Sequence, residues 1–410
     1  MAISVQLKVS CTQQRARGWK FLLTATLCLM VPILSAAAEE EPSCLAGETF
    51  AHVGALLQKQ DYSRAKALLR GLETCPHLAP LEQFNIGWLY GRAHDSPDAL
   101  RIFHTVRADV PDRLTHAYAI ALADFELGKF QASIDTLEAL RAQGTFDAKC
   151  ADLLGVSYSK LDRYQDAYAV MAENIRANPS NPYAYFNLIA LFVDTSEMDK
   201  AAQVADRAVA ALPENAEALS MRGSIELYRS QTDEAYRDFS GAAELAPHSP
   251  DPRFFMALVD YRQSKFDQAA KVLRDAITAG IADSDLHYLL AECVLRIDPS
   301  NGGAALQELD RAIQLNPKSV PARILRGERL LAAGRPQDAV VDLKIARDLD
   351  PNPQRDTKNT TYLLGRAYVA LGKREEANAL FAQLGHQFTP NKADTLNQLG
   401  EQKIQAALHP

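Results

Sequence analysis

Cysteine is scarce in this chain of 410 residues, six in all, and no two stand in a C-x-x-C arrangement. That excludes a disulfide-dense miniprotein and leaves thioredoxin-like and zinc-ribbon readings without support. The nine histidines are scattered, with no His-Glu-x-x-His, no paired metal spacing and no Gly-x-Ser-x-Gly. Gly302-Gly303 lacks the lysine and threonine of a phosphate loop and reads as a turn. Basic side chains are outnumbered, 44 Lys and Arg against 51 Asp and Glu, which disfavours the phosphate contacts of nucleic-acid binding. After the amino terminus no apolar run approaches the roughly 20 residues that cross a bilayer. What is present, 47% hydrophobic and 23% charged residues with 20 Gly and 20 Pro, suits a folded chain and excludes disorder and collagen.

The amino terminus has the order of an export signal. A basic stretch ending at Lys20 precedes an apolar run from Phe21 to Leu34, then Ser35-Ala36-Ala37-Ala38 and three glutamates. Cleavage is expected after Ala38, with an uncleaved anchor as the alternative because the basic region is long. The segment Ala25-Thr26-Leu27-Cys28 lacks the small residue that lipidation needs before the cysteine. Residues 1–38 hold four basic side chains and no acid, so their removal leaves a formal charge of −11. Export permits disulfides. Cys44 precedes one expected helix and Cys75 ends the next, and those ends meet in an antiparallel hairpin. A bridge there would close about 30 residues and add roughly 3 kcal/mol, although both thiols could stay free. Cys150 and Cys293 fall on faces expected to be buried and read as inert core thiols.

A fixed period overrides the usual domain count. Small residues recur at Ala65, Ala99, Ser133, Ala167, Ala201, Ala235 and Ala269, each 34 after the last, and continue at Ala305, Ala339 and Ala377. A second series runs ahead of it: Val53, Gly87, Ala121, Gly155, Ile189, Gly223, Ala257, Ala291, Gly327 and Gly365. Small side chains at both positions let two antiparallel helices approach closely. Bulky residues four after the first series, such as Phe103, Met171, Phe239, Leu273 and Phe381, fill the space beside them. Pro111, Pro179, Pro213, Pro247, Pro317 and Pro351 stop the second helix, and Gly144 and Gly280 do so where proline is missing. Segments such as Leu127-Gly128-Lys129 turn the chain between helices.

These residues resemble the tetratricopeptide repeat family: Leu154-Gly155 with Tyr158, Leu364-Gly365 with Tyr368, Tyr90 after Gly87, and Ala99, Phe103, Pro111 with Ala235, Phe239, Pro247. The family's early tryptophan is in none of the units. About ten units are expected over 46–388, at 46–79, 80–113, 114–147, 148–181, 182–215, 216–249, 250–283, 284–319, 320–353 and 358–388. Insertions at Pro299-Ser300-Asn301-Gly302-Gly303 and before Asp356 should lengthen loops. The resemblance implies an all-α, right-handed superhelical solenoid of antiparallel helix pairs with a concave groove. One hairpin cannot bury its apolar face alone, whereas stacked hairpins share a continuous core. Residues 389–410 are expected to form a capping helix, with Leu396, Leu399 and Ile404 on the tenth unit.

In this family the first helix of each pair lines the concave face, partly through its fifth position. That row reads Phe50, Phe84, Tyr118, Asp152, Phe186, Ser220, Phe254, Tyr288, Ile324 and Tyr362. Aromatic side chains give large contact area at low entropy cost, so the row is either a binding ladder or packing between neighbouring helices. The groove candidates are Phe84, Trp88, Tyr118, Phe186, Phe254, Leu258, Tyr261, Tyr288, Glu292, Arg296, Glu328 and Tyr362, with the seventh and eighth units favoured. Relatives that grip a chaperone's acidic carboxyl terminus use a clamp with asparagine at the ninth position, where this chain has Gly54, Trp88, Leu122, Val156, Ala190, Ser224, Leu258, Glu292, Glu328 and Arg366. Acidic pairs such as Glu375-Glu376 read as a solvated face. With signal, repeats and cap assigned, no stretch of about 100 residues remains for a catalytic domain. The expectation is a non-enzymatic, exported scaffold without cofactor or metal, in the periplasm or cell envelope or secreted, binding proteins or extended peptides and no nucleic acid. The alternatives are a carrier of glycans or other non-protein ligands, and a self-associating structural protein.

Overall fold

The computed structural model of the protein describes residues 46–349, 356–384 and 402–408. The expected signal at 1–38, Cys44, Leu396 and Leu399 lie outside the described residues. The described residues form helices and short turns and contain no strand, so the all-α class is met. Two compact units divide between Glu197 and Met198.

The first unit holds α1 (Ala46–Gln58), α2 (Tyr62–Glu73), α3 (Pro80–Arg92), α4 (Ser96–Thr105) and α5 (Arg113–Glu126). It continues through α6 (Phe130–Ala142), α7 (Ala148–Lys160), α8 (Tyr164–Ala177) and α9 (Pro182–Asp194). The second unit holds α10 (Met198–Ala211), α11 (Ala216–Tyr228), α12 (Thr232–Leu245), α13 (Pro250–Arg262), α14 (Phe266–Thr278) and α15 (Ser284–Ile297). There follow α16 (Gly302–Leu315), α17 (Val320–Ala332), α18 (Pro336–Leu349), α19 (Asp356–Ala370), α20 (Arg374–Leu384) and a helical segment at 402–408. Within each unit, consecutive helices pack on one another as a solenoid.

Local chemistry sets the helix ends. Asp61, Asp112, Asp147 and Asn215 cap helices by accepting a backbone N–H, which satisfies a donor that the first turn leaves free. Pro80, Pro182 and Pro250 open their helices, where a missing N–H costs nothing. Inside the pairs the turn is made by one residue in the left-handed region. It recurs at Gln60, His94, Gly128, Asp162, Ser196, Ser230, Ser264, Gly334 and Gly372, with φ between 55° and 75°. The following N–H bonds back to the helix, as from Lys265 to the Asp260 carbonyl at 2.8 Å, closing the cap.

Both small-residue series lie at the pair interface. Every member from Ala65 to Ala377 is at most 1% exposed. The glycines of the other series sit directly beneath bulky side chains of the partner helix. A Cβ on Gly87 would come within 2.7 Å of Phe103, on Gly155 within 2.8 Å of Met171, and on Gly327 within 2.7 Å of Leu343. Tyrosine joins one pair to the next: Tyr90 Oη donates to Glu73 at 2.5 Å and Tyr158 Oη to Glu138 at 2.8 Å. Apolar burial supplies the rest, as around Ile324, Leu343, Leu364 and Leu380, at about 1.5–3 kcal/mol per fully buried large side chain.

Cysteine placement follows the same packing. Cys75 is disulfide-bonded, while Cys44, its expected partner, is not among the described residues. Cys150 and Cys293 are free and buried, and burial pushes both thiols up to about 12, which keeps them inert.

Of the expected capping segment, residues 402–408 are described. Ile404 and Leu408 are buried, and Lys403 reaches the seventh and eighth pairs. Two first-turn aspartates, Asp251 on α13 and Asp285 on α15, converge there on one cation.

Candidate partner-binding site

In α13, Asp251, Phe254, Leu258 and Tyr261 fall at spacings of three and four and share one face. Asp285, Tyr288, Glu292 and Arg296 do the same on α15. The two faces are joined through side chains. Arg296 Nε donates to the Tyr261 hydroxyl at 3.0 Å, and its guanidinium lies 5.6 Å from the Tyr261 ring and 5.7 Å from that of Phe266. Tyr288 Oη donates to Glu292 at 3.4 Å. On α17, Glu328 pairs with Arg329 at 2.7 Å and adds its field to Glu292. Burial is the main force raising the Glu292 carboxyl; Arg296 opposes it and Glu328 reinforces it. Burial, then the charge of Glu292, pushes the Tyr261 hydroxyl up to about 12. The wall thus gathers aromatic, acidic and basic groups from three successive first helices.

At the amino-terminal edge of this wall, Lys403 Nζ lies 2.7 Å from Asp251 Oδ1 and 3.2 Å from Asp285 Oδ2. It stands 4.7 Å from the centre of the Phe254 ring. Burial works against the ammonium charge, but Asp285, Asp251 and Asp283 together outweigh it and hold the group above its ordinary value.

Of the residues expected to line a groove, Tyr261, Glu292, Arg296 and Glu328 are gathered here with accessible surface. Five others, Phe84, Phe186, Phe254, Leu258 and Tyr288, are at most 4% exposed. Phe84 lies 5.2 Å from Phe103 of the partner helix, while Phe254 lies 5.7 Å from its chain neighbour Phe255 and beneath Lys403. Trp88, partly buried, stacks on Phe84 at 6.4 Å in the first unit. Tyr118, also partly buried, has its hydroxyl raised by burial and then by nearby acids including Asp152. Tyr362 packs 6.0 Å from Phe381 at the far end of the second unit. Fifth-position residues therefore serve the stack at several levels in both units.

Sequence reasoning missed Asp251, Asp285 and Lys403. The acids stand three residues ahead of Phe254 and Tyr288, so a scan of that earlier row would have found the pair. Nothing local marks Lys403 as their partner, because the contact joins residues 152 apart.

No described helix is long and apolar enough to cross a membrane, and no described group of three or more His, Cys, Asp or Glu is placed to hold a metal. A tetratricopeptide repeat model matches residues 84–148, 153–216 and 256–320, and a second model of the same description matches 361–389. Together they span more than half of the chain, which belongs to the tetratricopeptide repeat family. It is 22% identical over 189 residues to "Anaphase-promoting complex subunit 7" of Arabidopsis thaliana, covering 46% of this chain and 32% of the relative. It is also 22% identical over 186 residues to "Hsp70-Hsp90 organizing protein 2" of the same plant, covering 44% and 31%. The chain spans about a third of the length of these curated relatives. Among solved structures, a tetratricopeptide repeat protein from Parabacteroides merdae is 18% identical, with a TM-score of 0.46, over 62% of this chain and 98% of that one.

Proposed function

We propose that the protein is a non-enzymatic scaffold that binds a protein or extended peptide on the first-helix wall of its second unit. The observation that carries this reading is the cluster of Tyr261, Glu292, Arg296 and Glu328, which presents ring faces and both signs of charge on consecutive helices. Such mixed surfaces give contact area and orientation together. Membership of a repeat family whose relatives include an organizing protein and a complex subunit supports the same reading. The signal-like order at 1–38 supports work in the periplasm or cell envelope, or outside the cell, where the scaffold would assemble or tether an envelope complex.

The test is a crosslinked pull-down of the chain from Glu39 onward, from its own envelope fraction, beside a Tyr261→Ser/Arg296→Ala variant. A discrete protein set that the variant loses while keeping its melting temperature supports the reading. A set retained by the variant moves the site elsewhere, and no specific protein in either sample contradicts a protein-binding role.

A further inference from the structure

The seat of Lys403 is a built cation site. Two carboxylates from different helix pairs and one aromatic face converge on an ammonium whose side chain is only 10% exposed. Asp285, Asp251 and Asp283, all acidic, hold the ammonium in its charged form. On the segment itself, Lys403 is followed by Ile404 and, one turn on, by Leu408, both buried. Residues 402–408 are helical, and the apolar side chains that follow Lys403 lie on one face of that helix.

Resting on the scaffold reading above, we infer that residues 402–408 are an internal stand-in for the partner. The wall of α13 and α15 takes an amphipathic helix that presents a lysine next to one apolar side chain, with a second apolar side chain four further on. The lysine enters between Asp251 and Asp285 over Phe254. A partner segment of that chemistry competes with the chain's own terminus, which is tethered and therefore present at high effective concentration. Apparent affinity is lowered by the fraction of time the terminus holds the seat, and releasing it raises affinity without changing the site.

The probe is a labelled synthetic peptide of residues 398–410, followed by fluorescence anisotropy against the full chain from Glu39 onward. The unaltered chain should bind it weakly. A full-length Lys403→Glu chain, whose terminus is repelled by the aspartates, should bind it about tenfold or more tightly. Adding Asp251→Asn and Asp285→Asn to that chain should abolish the gain, as should a Lys403→Met peptide. Equal binding to the unaltered and Lys403→Glu chains, or binding indifferent to the peptide lysine, overturns the inference. So does no binding by a Lys403→Glu chain whose circular dichroism and melting match the unaltered protein. If the envelope partner is still captured in that case, the scaffold reading survives. If the peptide binds as expected and no partner is captured, the scaffold reading fails alone.

Discussion

A glycine under a bulky side chain fixes how closely two helices lie. A Cβ on Gly327 would meet Leu343 Cγ at 2.7 Å and Cδ2 at 2.8 Å, and Leu343 is fully buried, so the packing around it must shift. Gly327→Ala should therefore destabilise the second unit by about 1–3 kcal/mol in urea unfolding, and Leu343→Ala in the same chain should relieve part of that loss. Glycine and alanine at these positions were legible in the sequence because each repeats at the period of the fold. Asp152 was not legible as a core group, since a lone carboxylate in a mostly aromatic row gives no sign of its partners. It is 5% exposed and accepts hydrogen bonds from Asn174 at 2.7 Å and Asn181 at 3.0 Å. Burial pushes its carboxyl up to about 7 against the pull of those amides. A folded carboxyl that holds its proton more tightly than the unfolded one lowers stability as pH rises between its unfolded value and about 7. Asp152→Asn should flatten that part of the first unit's stability profile, measured by urea titration from pH 4 to 8. An unchanged slope would show that the carboxyl ionises freely in the fold.

Neighbouring helix pairs are locked by charge as well as by apolar contact. Arg326 on α17 pairs with Asp342 on α18 through Nε at 2.6 Å and a second nitrogen at 2.7 Å, and with Asp310 on α16 at 2.7 Å. Arg323 adds a third donor to Asp342, which is 1% exposed. Arg222 repeats the fork on Asp238, at 2.6 and 2.7 Å. Removing a buried acid leaves uncompensated cations, so Asp342→Ala should cost about 3–5 kcal/mol. The exposed pair of Arg163 and Asp166 is the control, since Asp166→Ala should leave the unfolding midpoint nearly unchanged in the same assay. Helices, turns and their order were readable because caps, left-handed turn residues and small residues all carry local signals. The Arg–Asp forks join residues 16 apart on different helices, and single-sequence periodicity gives such a contact no weight.

For the molecule as a whole, the repeat identifies the architecture and leaves the destination of its terminus unspecified. An amphipathic helix after the last repeat reads as a cap on length and pattern alone. Its Lys403 meets two aspartates 34 residues apart on the seventh and eighth pairs, a contact that no local pattern marks. The candidate wall was likewise half legible. Tyr261, Glu292, Arg296 and Glu328 follow from helical spacing, whereas the burial of Phe254, Leu258 and Tyr288 depends on what packs over them. The central claim is that this wall meets the partner, and site-specific photocrosslinking in the native host tests it most directly. A photoreactive residue at Tyr261 should give one discrete protein adduct, and the adduct should strengthen in a Lys403→Glu chain. No adduct from Tyr261 alongside a strong one from a probe at Tyr118 in the first unit would contradict the account.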